Sequence, residues 1–455
     1  MGDGFFQAYL VAQIVFLNPE GQSTAAGVAK AYAILVVPFS VVGPLTGVFI
    51  DRWSRRRILA ITTAVKAAGA IALLPLGGES TLLYAPALLI VSLNRFFLTT
   101  ATSSIPALVA DENLLIANSM STVGGTVATF AGIVVGTKLA DPAGPRAVIA
   151  VAAVSWPLAS ILALRISTSL TPERAAGPVT SELRRVGRDL VAGARRLAAT
   201  PSAVGPITTI SLDQFVIGFV TVLSLVVFKQ EFHQGVGSYG NIVAAGGAGV
   251  LAGTLTVGLF EGRLTKPLIV AGAFAISAVT CLAVGPVVTG LTIVLVSFVL
   301  GLTFAWKKIP VDTMAQEAVP DRYRGRVFAV YDITYSMSRV VAAGLAIVLV
   351  PHVSTGWLLG GTGVLYLVWT PALPVWVRRP RFVDVRFYAG GRGDEVPRSI
   401  VFAGEEDAVE VLRSVVEERE GVRRRRFRVR TADGEQLEIV AEDVPAARWS
   451  IERSD

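Results

Sequence analysis

Residues 31–50 read AYAILVVPFSVVGPLTGVFI, a run of 20 residues without a charge, and residues 51–57, which follow, read DRWSRRR. An apolar helix of this length is roughly 30 Å long at 1.5 Å per residue, which is the thickness of the hydrocarbon core of a bilayer. Four of the next seven residues are arginines, which are rare in that core and frequent in cytoplasmic loops. The two stretches together predict a transmembrane helix that ends at a basic loop.

The composition of the whole chain extends this prediction. Of 455 residues, 53% are hydrophobic and 16% are charged, whereas soluble globular proteins contain about 25% charged residues. The mean hydropathy of +0.60 requires lipid as the solvent for part of the surface. A net charge of +7 would also suit a nucleic-acid binder, but the basic residues lie between apolar runs and not on one soluble face. We therefore expect membrane lipids as partners and no nucleic acid.

Twelve apolar segments occur along the chain, and we predict a transmembrane helix in each. They are Phe5–Leu17, Val28–Ile50, Ile58–Leu76, Leu82–Ser104, Ala117–Gly136, Ala147–Leu164, Gly205–Phe228, Ser238–Phe260, Pro267–Val287, Leu291–Trp306, Val327–Val350 and Gly356–Val377. A helix from Gly2 to Leu17 is only about 24 Å long, which is less than the core thickness. Either the first helix is short or the natural start lies upstream of Met1, and we favour the second.

Basic residues are concentrated in alternate loops. Arginines and lysines occur in residues 51–57, 165–200 and 306–326, whereas residues 77–81 and 285–290 contain none. Basic loops stay on the cytoplasmic side of a membrane. The pattern predicts a multi-pass protein of the cell (plasma) membrane with both termini in the cytoplasm.

These boundaries divide the chain into four parts. We predict an N-terminal six-helix bundle over residues 1–166, a cytoplasmic linker over 167–202, a C-terminal six-helix bundle over 203–377 and a cytosolic tail over 378–455. Within the linker, Ser181–Ala199 combines apolar residues and arginines at helical spacing, which predicts a basic amphipathic helix on the membrane surface. A solvated charged linker is the alternative.

The tail is polar and shows both strand and helix patterns. Polarity alternates at residues 383–387 and 427–431, and Asp433-Gly434 predicts a hairpin turn. Apolar residues at helical spacing in Glu405–Glu420 predict a helix. The predicted fold class is therefore an all-α membrane protein with a small cytosolic α+β appendage. The basic run Arg423–Arg426 either binds anionic lipid headgroups or is a solvated strand end.

Sliding the chain against itself by 210 residues reveals an internal repeat. Matches between charged residues or glycines are the informative ones, because two apolar halves match by chance at leucine and valine. They are Asp3 with Asp213, Gly43 with Gly253, Asp51 with Glu261, and Asp111 with Asp321. Two parallel six-helix repeats are a known transporter architecture, in which the substrate binds near the bilayer midplane between the halves.

The segment Gly47–Arg57, GVFIDRWSRRR, resembles the G-x-x-x-D-R-x-G-R-[KR] signature of the major facilitator superfamily, with Ser54 in place of the second glycine. Residues 309–312, IPVD, and 316–327, QEAVPDRYRGRV, resemble the corresponding loop of bacterial drug- and siderophore-exporting members. The resemblance covers residues 1–377 and implies a secondary transporter of twelve helices. It does not extend to the tail.

The signature contains a candidate conformational latch made of two glycines, one carboxylate and three arginines. These residues are Gly43, Gly47, Asp51, Arg52, Arg55 and Arg56. The glycines lie on one helix face and allow a neighbouring helix to approach closely. The carboxylate at the cytoplasmic edge can accept hydrogen bonds from a helix N-terminus, and the arginines bind it or lipid phosphates. Topological anchoring by positive charge is the alternative.

Ionisable groups at membrane depth are costly and are therefore candidates for function. The candidates here are Asp3, Lys66, Arg95, Asp213, Asp332 and Arg339. We predict the pairs Asp3–Arg95 and Asp213–Arg339, one in each half. Moving the arginine away from its carboxylate favours protonation of the carboxylate, which would couple transport to protons. Static ion pairs are the alternative, and Lys66 can also extend towards the membrane surface while Asp332 caps its helix.

Three polar side chains near these charges, Gln7, Asn94 and Gln214, are predicted to line a substrate cavity. Together these features favour a secondary active transporter that exports a small molecule, amphipathic or drug-like, by proton-coupled alternating access. Exporters of this family often have a Gly-Pro kink in the fifth helix, but no proline lies between Pro106 and Pro142, which weakens the antiporter assignment. An importer of a small solute and a membrane-anchored sensor that signals through the tail are the alternatives.

Sequence motifs for other chemistry are not present. The chain has no Walker-type phosphate loop and no nucleophile–base pattern, and its one cysteine and two histidines are far apart. We therefore expect no enzymatic activity, no cofactor and no metal, and we expect the chain to act as a monomer.

Overall fold

The computed structural model describes residues 1–16, 53–77, 81–110, 113–166, 179–198, 200–230, 235–260, 263–319, 321–371, 381–388, 396–402, 405–419, 422–431, 436–442 and 449–452. The predicted second span, Val28–Ile50, lies outside these residues. So do four of the predicted latch residues, Gly43, Gly47, Asp51 and Arg52.

Before residue 372, the described chain consists of helices joined by short turns. The helices are α1 (Gly2–Leu10, continued by a π-helical turn at Val11–Phe16), α2 (Arg55–Leu73), α3 (Tyr84–Ser104), α4 (Leu114–Leu164), α5 (Val179–Ala198), α6 (Pro201–Gln230), α7 (Val236–Thr256), α8 (Lys266–Val284), α9 (Gly290–Ala318), α10 (Asp321–Leu349) and α11 (Thr355–Trp369). Short 3-10 turns precede or follow α3 and α7.

Six of the described helical stretches are long and apolar enough to cross a membrane. The stretch Ile116–Leu164 has 49 residues, about twice the length that one span needs. It is interrupted at Gly144, whose φ of 75° is left-handed and therefore favours glycine. The interruption lies between the fifth and sixth predicted spans. A total of twelve spans stays a prediction. The second lies outside the described residues, and the helices of the first, third, eleventh and twelfth predicted spans are not among these six stretches.

The outer surface of these helices is apolar. Leu255 on α7 is 82% exposed and Leu291 on α9 is 80% exposed, and exposed leucines, valines and isoleucines recur on α2, α3, α4 and α8. Apolar side chains in such numbers on one surface would be unfavourable in water, so this surface faces lipid. The structure therefore agrees with the prediction of a mostly helical membrane protein.

The same helix pairings recur in the two parts of the chain. Helix α1 packs on the first part of α4, and α2 packs on α3 and on the second part of α4. Correspondingly, α6 packs on α10, and α8 packs on α9 and α11. These are the pairs that an offset of 210 residues brings together, which favours the predicted repeat.

The linker helix predicted at Ser181–Ala199 is present as α5. It lies against the start of α10, where Gly193 contacts the backbone of Arg326 and Asp189 forms an ion pair of 3.0 Å with the Arg326 side chain. The Arg196 guanidinium lies 4.7 Å from the centre of the Tyr323 ring. The linker helix is thus attached to the C-terminal part of the chain, while its contact with a membrane surface stays a prediction.

The tail is a closed β-barrel and not the predicted α+β appendage. Its strands pair antiparallel in sequence order, and the first pairs with the last: β1 (Arg381–Tyr388), β2 (Val396–Phe402), β3 (Glu405–Arg419), β4 (Val422–Thr431), β5 (Gln436–Glu442) and β6 (Trp449–Glu452).

The helix predicted at Glu405–Glu420 was wrong, because the segment is strand β3. Valines at alternate positions 409 and 411 pack towards a core formed by Ile400, Phe427, Val429 and Ile439. The segment pairs with β2 and β4, and this pairing decides its structure although its apolar residues are also spaced as on a helix face. The predicted hairpin residues Asp433 and Gly434 lie outside the described residues, but β4 and β5, which flank them, pair antiparallel as expected.

The close packing of α1 on α4 gives a first testable prediction. A Cβ atom at Gly132 would lie 2.5 Å from the Met1 carbonyl oxygen and 3.1 Å from the Gly4 Cα atom, whereas one at Gly125 would meet nothing within 4 Å. Gly132→Ala should therefore destabilise the protein by about 1–3 kcal/mol. Gly125→Ala on the same helix is the matched control and should be neutral or slightly stabilising, because alanine is the better helix former. Thermal unfolding of the detergent-purified variants measures the difference, and equal melting temperatures would contradict the packing.

Candidate functional site

A buried lysine–carboxylate pair lies in the N-terminal part of the chain. The Lys66 ammonium on α2 forms an ion pair with Asp3 on α1 and donates a hydrogen bond of 3.2 Å to the Asn94 side chain on α3. The Lys66 side chain is 1% exposed and the Asp3 side chain is 25% exposed. The ammonium also lies 4.8 Å from the centre of the Trp156 ring, which favours its positive charge.

A second pair lies in the C-terminal part and is fully buried. The Lys307 ammonium on α9 forms an ion pair with Asp213 on α6, and both side chains are 0% exposed. Tyr366 on α11 donates a hydrogen bond of 2.9 Å to the same carboxylate oxygen, and Lys307 donates one of 3.1 Å to Ser277 on α8. The other Asp213 oxygen, Oδ2, has no hydrogen-bond partner among the described residues.

The two pairs are related by the offset of 210 residues, except for the lysines. Asp3 corresponds to Asp213, and Trp156 corresponds to Tyr366, whose ring centre is 4.6 Å from the Lys307 ammonium. The first lysine, however, comes from α2 with a polar partner on α3. The second comes from α9, the counterpart of α3, with a polar partner on α8, the counterpart of α2. The same carboxylate position is thus neutralised from a different helix in each half.

The predicted pairs Asp3–Arg95 and Asp213–Arg339 were wrong. Lysines occupy the positions beside both carboxylates. Arg95 instead forms an ion pair of 3.2 Å with Asp332, and Arg339 donates a hydrogen bond of 2.6 Å from Nε to Gln214. Both arginines are partly buried within the helical region and contact groups other than the predicted ones.

Lys307 was missed because the apolar run ends at Trp306, so that this lysine was assigned to a cytoplasmic loop. Helix α9 continues to Ala318 through the buried Pro310. A signal was present in the length of the helix. Lys307 lies 17 residues after Gly290, which is about 26 Å along the helix and still within the roughly 30 Å core.

A cavity of about 410 Å³ lies between α1 and α4 on one side and α6, α7, α9 and α10 on the other. Its wall includes apolar side chains from all of these helices except α1 and α10, such as Phe130, Ile217, Ile242 and Phe304. Two of the predicted site residues, Gln7 and Arg339, line it. Gln214 is buried behind Arg339, and Asn94 contacts Lys66 instead of the cavity.

Polar contacts connect the two helix groups at separate places. The Arg95–Asp332 ion pair joins α3 to α10, and its side chains are 27% and 60% exposed. Between α4 and α7, the Asp141 carboxylate accepts a hydrogen bond of 3.0 Å from the Gly237 amide, and Lys138 donates one of 3.2 Å to Asn241. A partly exposed ion pair contributes less than a fully buried one is worth to its neighbours, so the first contact separates more easily than the Lys307–Asp213 pair does.

The two described arginines of the predicted latch bind backbone carbonyls. Arg55 Nη1 donates a hydrogen bond of 2.8 Å to the Ser103 carbonyl at the end of α3, and Arg56 donates one to the Leu164 carbonyl at the end of α4. Both satisfy carbonyl groups that have no partner within their own helix. These arginines attach the start of α2 to two neighbouring helices. A role in switching stays a prediction.

Comparison with known proteins supports a transporter of the major facilitator superfamily. The family model described as Major Facilitator Superfamily matches residues 207–429. Two uncharacterized MFS-type transporters, from Mycobacterium bovis and Mycobacterium tuberculosis, are each 27% identical over 373 residues, which cover 77% of this chain and 82% of theirs. These matches support the predicted resemblance at the level of the superfamily, and together with the six apolar helical stretches they point to a multi-pass membrane protein. The drug- and siderophore-exporting branch stays a prediction.

Two solved structures share the fold. One is a mutant of the peptide transporter POT in complex with alafosfalin, with a TM-score of 0.60 and 12% identity. The other is a POT family transporter in complex with 5-aminolevulinic acid, with a TM-score of 0.61 and 11% identity. Each match covers 83% of this chain and 94% of the other. At these identities the similarity concerns the fold alone.

The buried Lys307–Asp213 pair gives a second prediction. Lys307→Met leaves the carboxylate buried without its cation and should cost about 3–5 kcal/mol of stability. Lys307→Met combined with Asp213→Asn removes both charges while keeping an acceptor for Tyr366, and should recover most of that loss. The neighbouring Lys308 pairs with Asp312 at a partly exposed position, so Lys308→Met should cost about 1 kcal/mol or less. Thermal unfolding tests the series. A double variant as unstable as Lys307→Met would show that the pair does not act as a unit.

Proposed function

We propose that the chain is a secondary active transporter that exports a small amphipathic molecule across the plasma membrane in exchange for protons. The observation that carries the proposal is the cavity between two helix groups, with a buried lysine–carboxylate pair in each group. A cavity at the interface of two helix groups suits a substrate site that opens alternately to the two sides of a membrane. The proposal includes cytoplasmic termini and a monomeric chain that works without a cofactor.

Alternating access requires two bodies that move against each other. The recurrence of the same helix pairings supports two six-helix repeats. The contacts between these repeats, one between α3 and α10 and one between α4 and α7, are the proposed gates. In this proposal the Arg95–Asp332 pair separates when its end of the cavity opens, since exposed charges remain hydrated after they part. The described latch arginines, Arg55 and Arg56, hold α2 within its own body.

The two repeat-related carboxylates, Asp3 and Asp213, are the candidates for proton coupling. A lysine beside a carboxylate favours the ionised form, so separating the two favours a proton on the carboxylate. Asp3 is the better placed to exchange protons with water, because its side chain is 25% exposed while Asp213 and Lys307 are fully buried. We assign proton uptake and release to Asp3 and a mainly structural role to Asp213.

The proposed direction of transport is export. Export is supported by the resemblance of residues 309–312 and 316–327 to the loop of drug- and siderophore-exporting transporters. Import is the second candidate, because the fold is shared with a peptide transporter in complex with alafosfalin and with a POT family transporter in complex with 5-aminolevulinic acid. A sensor function is the third, because the six-stranded barrel of the tail is a separate folded unit with its own core.

Accumulation of amphipathic compounds in cells tests transport and coupling together. Cells that express the chain should retain less of at least one compound in a screen, and an uncoupler should remove the difference. Asp3→Asn, which cannot release a proton, should abolish gradient-driven transport, whereas Asp3→Glu should keep part of it. Asp213→Asn should retain coupling in the fraction that folds. If the uncoupler does not change the accumulation difference, proton coupling is refuted. If cells that express the chain accumulate more of the compound than control cells do, the direction is import.

Deletion of Arg378–Asp455 separates a transporter from a sensor. The barrel core is made by residues of the tail itself, so its removal should leave the helical bundle folded. The truncated chain should keep its flux per folded molecule, as measured in the same cells and normalised to the amount of chain in the membrane. A normally folded truncated chain without flux would show that the tail is part of the transport machinery.

A further inference from the structure

The charge of the cavity wall restricts what the cavity can bind. Among the described residues that line it, Arg339 is charged, and none is an aspartate or a glutamate. The polar groups that accompany it are neutral hydroxyls and one amide, such as Thr221, Ser297 and Gln7. The described wall therefore presents one positive charge to a bound molecule.

Arg339 is held in a fixed orientation. Its Nε atom donates a hydrogen bond of 2.6 Å to the Gln214 side chain, which is fully buried. On the same side, a Cβ atom at Gly218 would lie 3.0 Å from the Arg339 Cα atom, so α6 and α10 are in close contact at this level. A guanidinium that is oriented in advance binds a carboxylate with little loss of side-chain freedom, and its planar donors match the two carboxylate oxygens.

The rest of the wall is mainly apolar. Phe130 and Ile133 come from α4, Ile217 and Val220 from α6, and Ile242 from α7, and they form a surface for an apolar body. The volume of about 410 Å³ lies within the range of cavities that hold small organic ligands. A single cation on such a wall suits a ligand with one negative charge at one end.

We propose that the cavity binds an amphipathic organic monoanion, a molecule with a carboxylate at one end and an apolar body. The inference rests on the proposed function, because it identifies the class of transported substrate. The carboxylate pairs with Arg339, and the apolar body packs against α4 and α7. An amphipathic amine of the same size is disfavoured, because its ammonium would lie near the guanidinium without a carboxylate from the described wall.

Binding of three biphenyl compounds to the purified full-length chain tests the ligand class. Biphenyl-4-carboxylate, biphenyl-4-methanol and biphenyl-4-methylamine share one apolar body and differ in charge. The carboxylate should raise the melting temperature at concentrations at least tenfold lower than the alcohol requires, and the amine should be the weakest ligand. Arg339→Gln should bring the carboxylate to the level of the alcohol, while Arg339→Lys should keep part of the preference. Thr221→Asp, which adds a negative charge to the same wall, should favour the amine.

An amine that binds as well as the carboxylate, or a carboxylate preference that survives Arg339→Gln, overturns the proposal. So does failure of the wild-type chain to bind the carboxylate. If Arg339→Gln does not fold, the reversal expected for Thr221→Asp decides. The measurement needs no gradient and no flux, so a chain that binds the carboxylate but moves nothing across vesicles would refute the transport function and leave the ligand class standing.

Discussion

A lysine ammonium buried beside an aspartate, within a bundle that faces lipid, is the interaction on which the helical region depends. Removing an ion from water costs several kcal/mol, and the cost is recovered only when the opposite charge and further hydrogen bonds are held in place. Asp213 and Lys307 meet this requirement with Tyr366 and Ser277, so four helices, α6, α8, α9 and α11, must stay together at one point. The weak contacts lie elsewhere, at the exposed Arg95–Asp332 pair between the helix groups. Such a distribution of strong and weak contacts suits two rigid bodies that rock.

The first pair repeats this arrangement with less burial. Asp3 occupies the position of Asp213, and Trp156 occupies that of Tyr366. The Trp156 indole N–H has no hydrogen-bond partner among the described residues, whereas the Tyr366 hydroxyl donates to Asp213, and Asp3 is partly exposed. The lysine also enters from a different helix. The two halves therefore carry a carboxylate at the same position, but the lysine that neutralises it comes from α2 in one half and from α9 in the other. One pair fits a structural role and the other fits exchange of protons, which is the basis of their separate assignments.

Much of the helical region was predictable, because length and hydropathy suffice to identify a span. The intramembrane positions of Asp3 and Asp213 followed from the same patterns and from the repeat. Their partners did not, since an apolar span carries no signal for which neighbour its charged residue faces. Lys307 was misplaced because a positive charge was taken as the end of a span, although its burial is compensated by Asp213. Strand β3 was misread because valine and leucine at 409, 412 and 416 fit a helix face locally, and only the neighbouring strands decide.

The charge pair and the cavity are connected through consecutive residues of α6. Asp213 binds Lys307, and the next residue, Gln214, accepts the hydrogen bond of Arg339 at the cavity wall. The Gln214 amide nitrogen has no hydrogen-bond partner among the described residues, so this side chain is held mainly from the Arg339 side. A ligand carboxylate that pairs with Arg339 in the cavity therefore meets a guanidinium oriented by α6, one residue from the carboxylate that anchors four helices. The cavity wall and the ion pair are thus built on one turn of α6, so a substrate bound at Arg339 lies close to the point where the C-terminal helices are held together without contacting the ion pair itself.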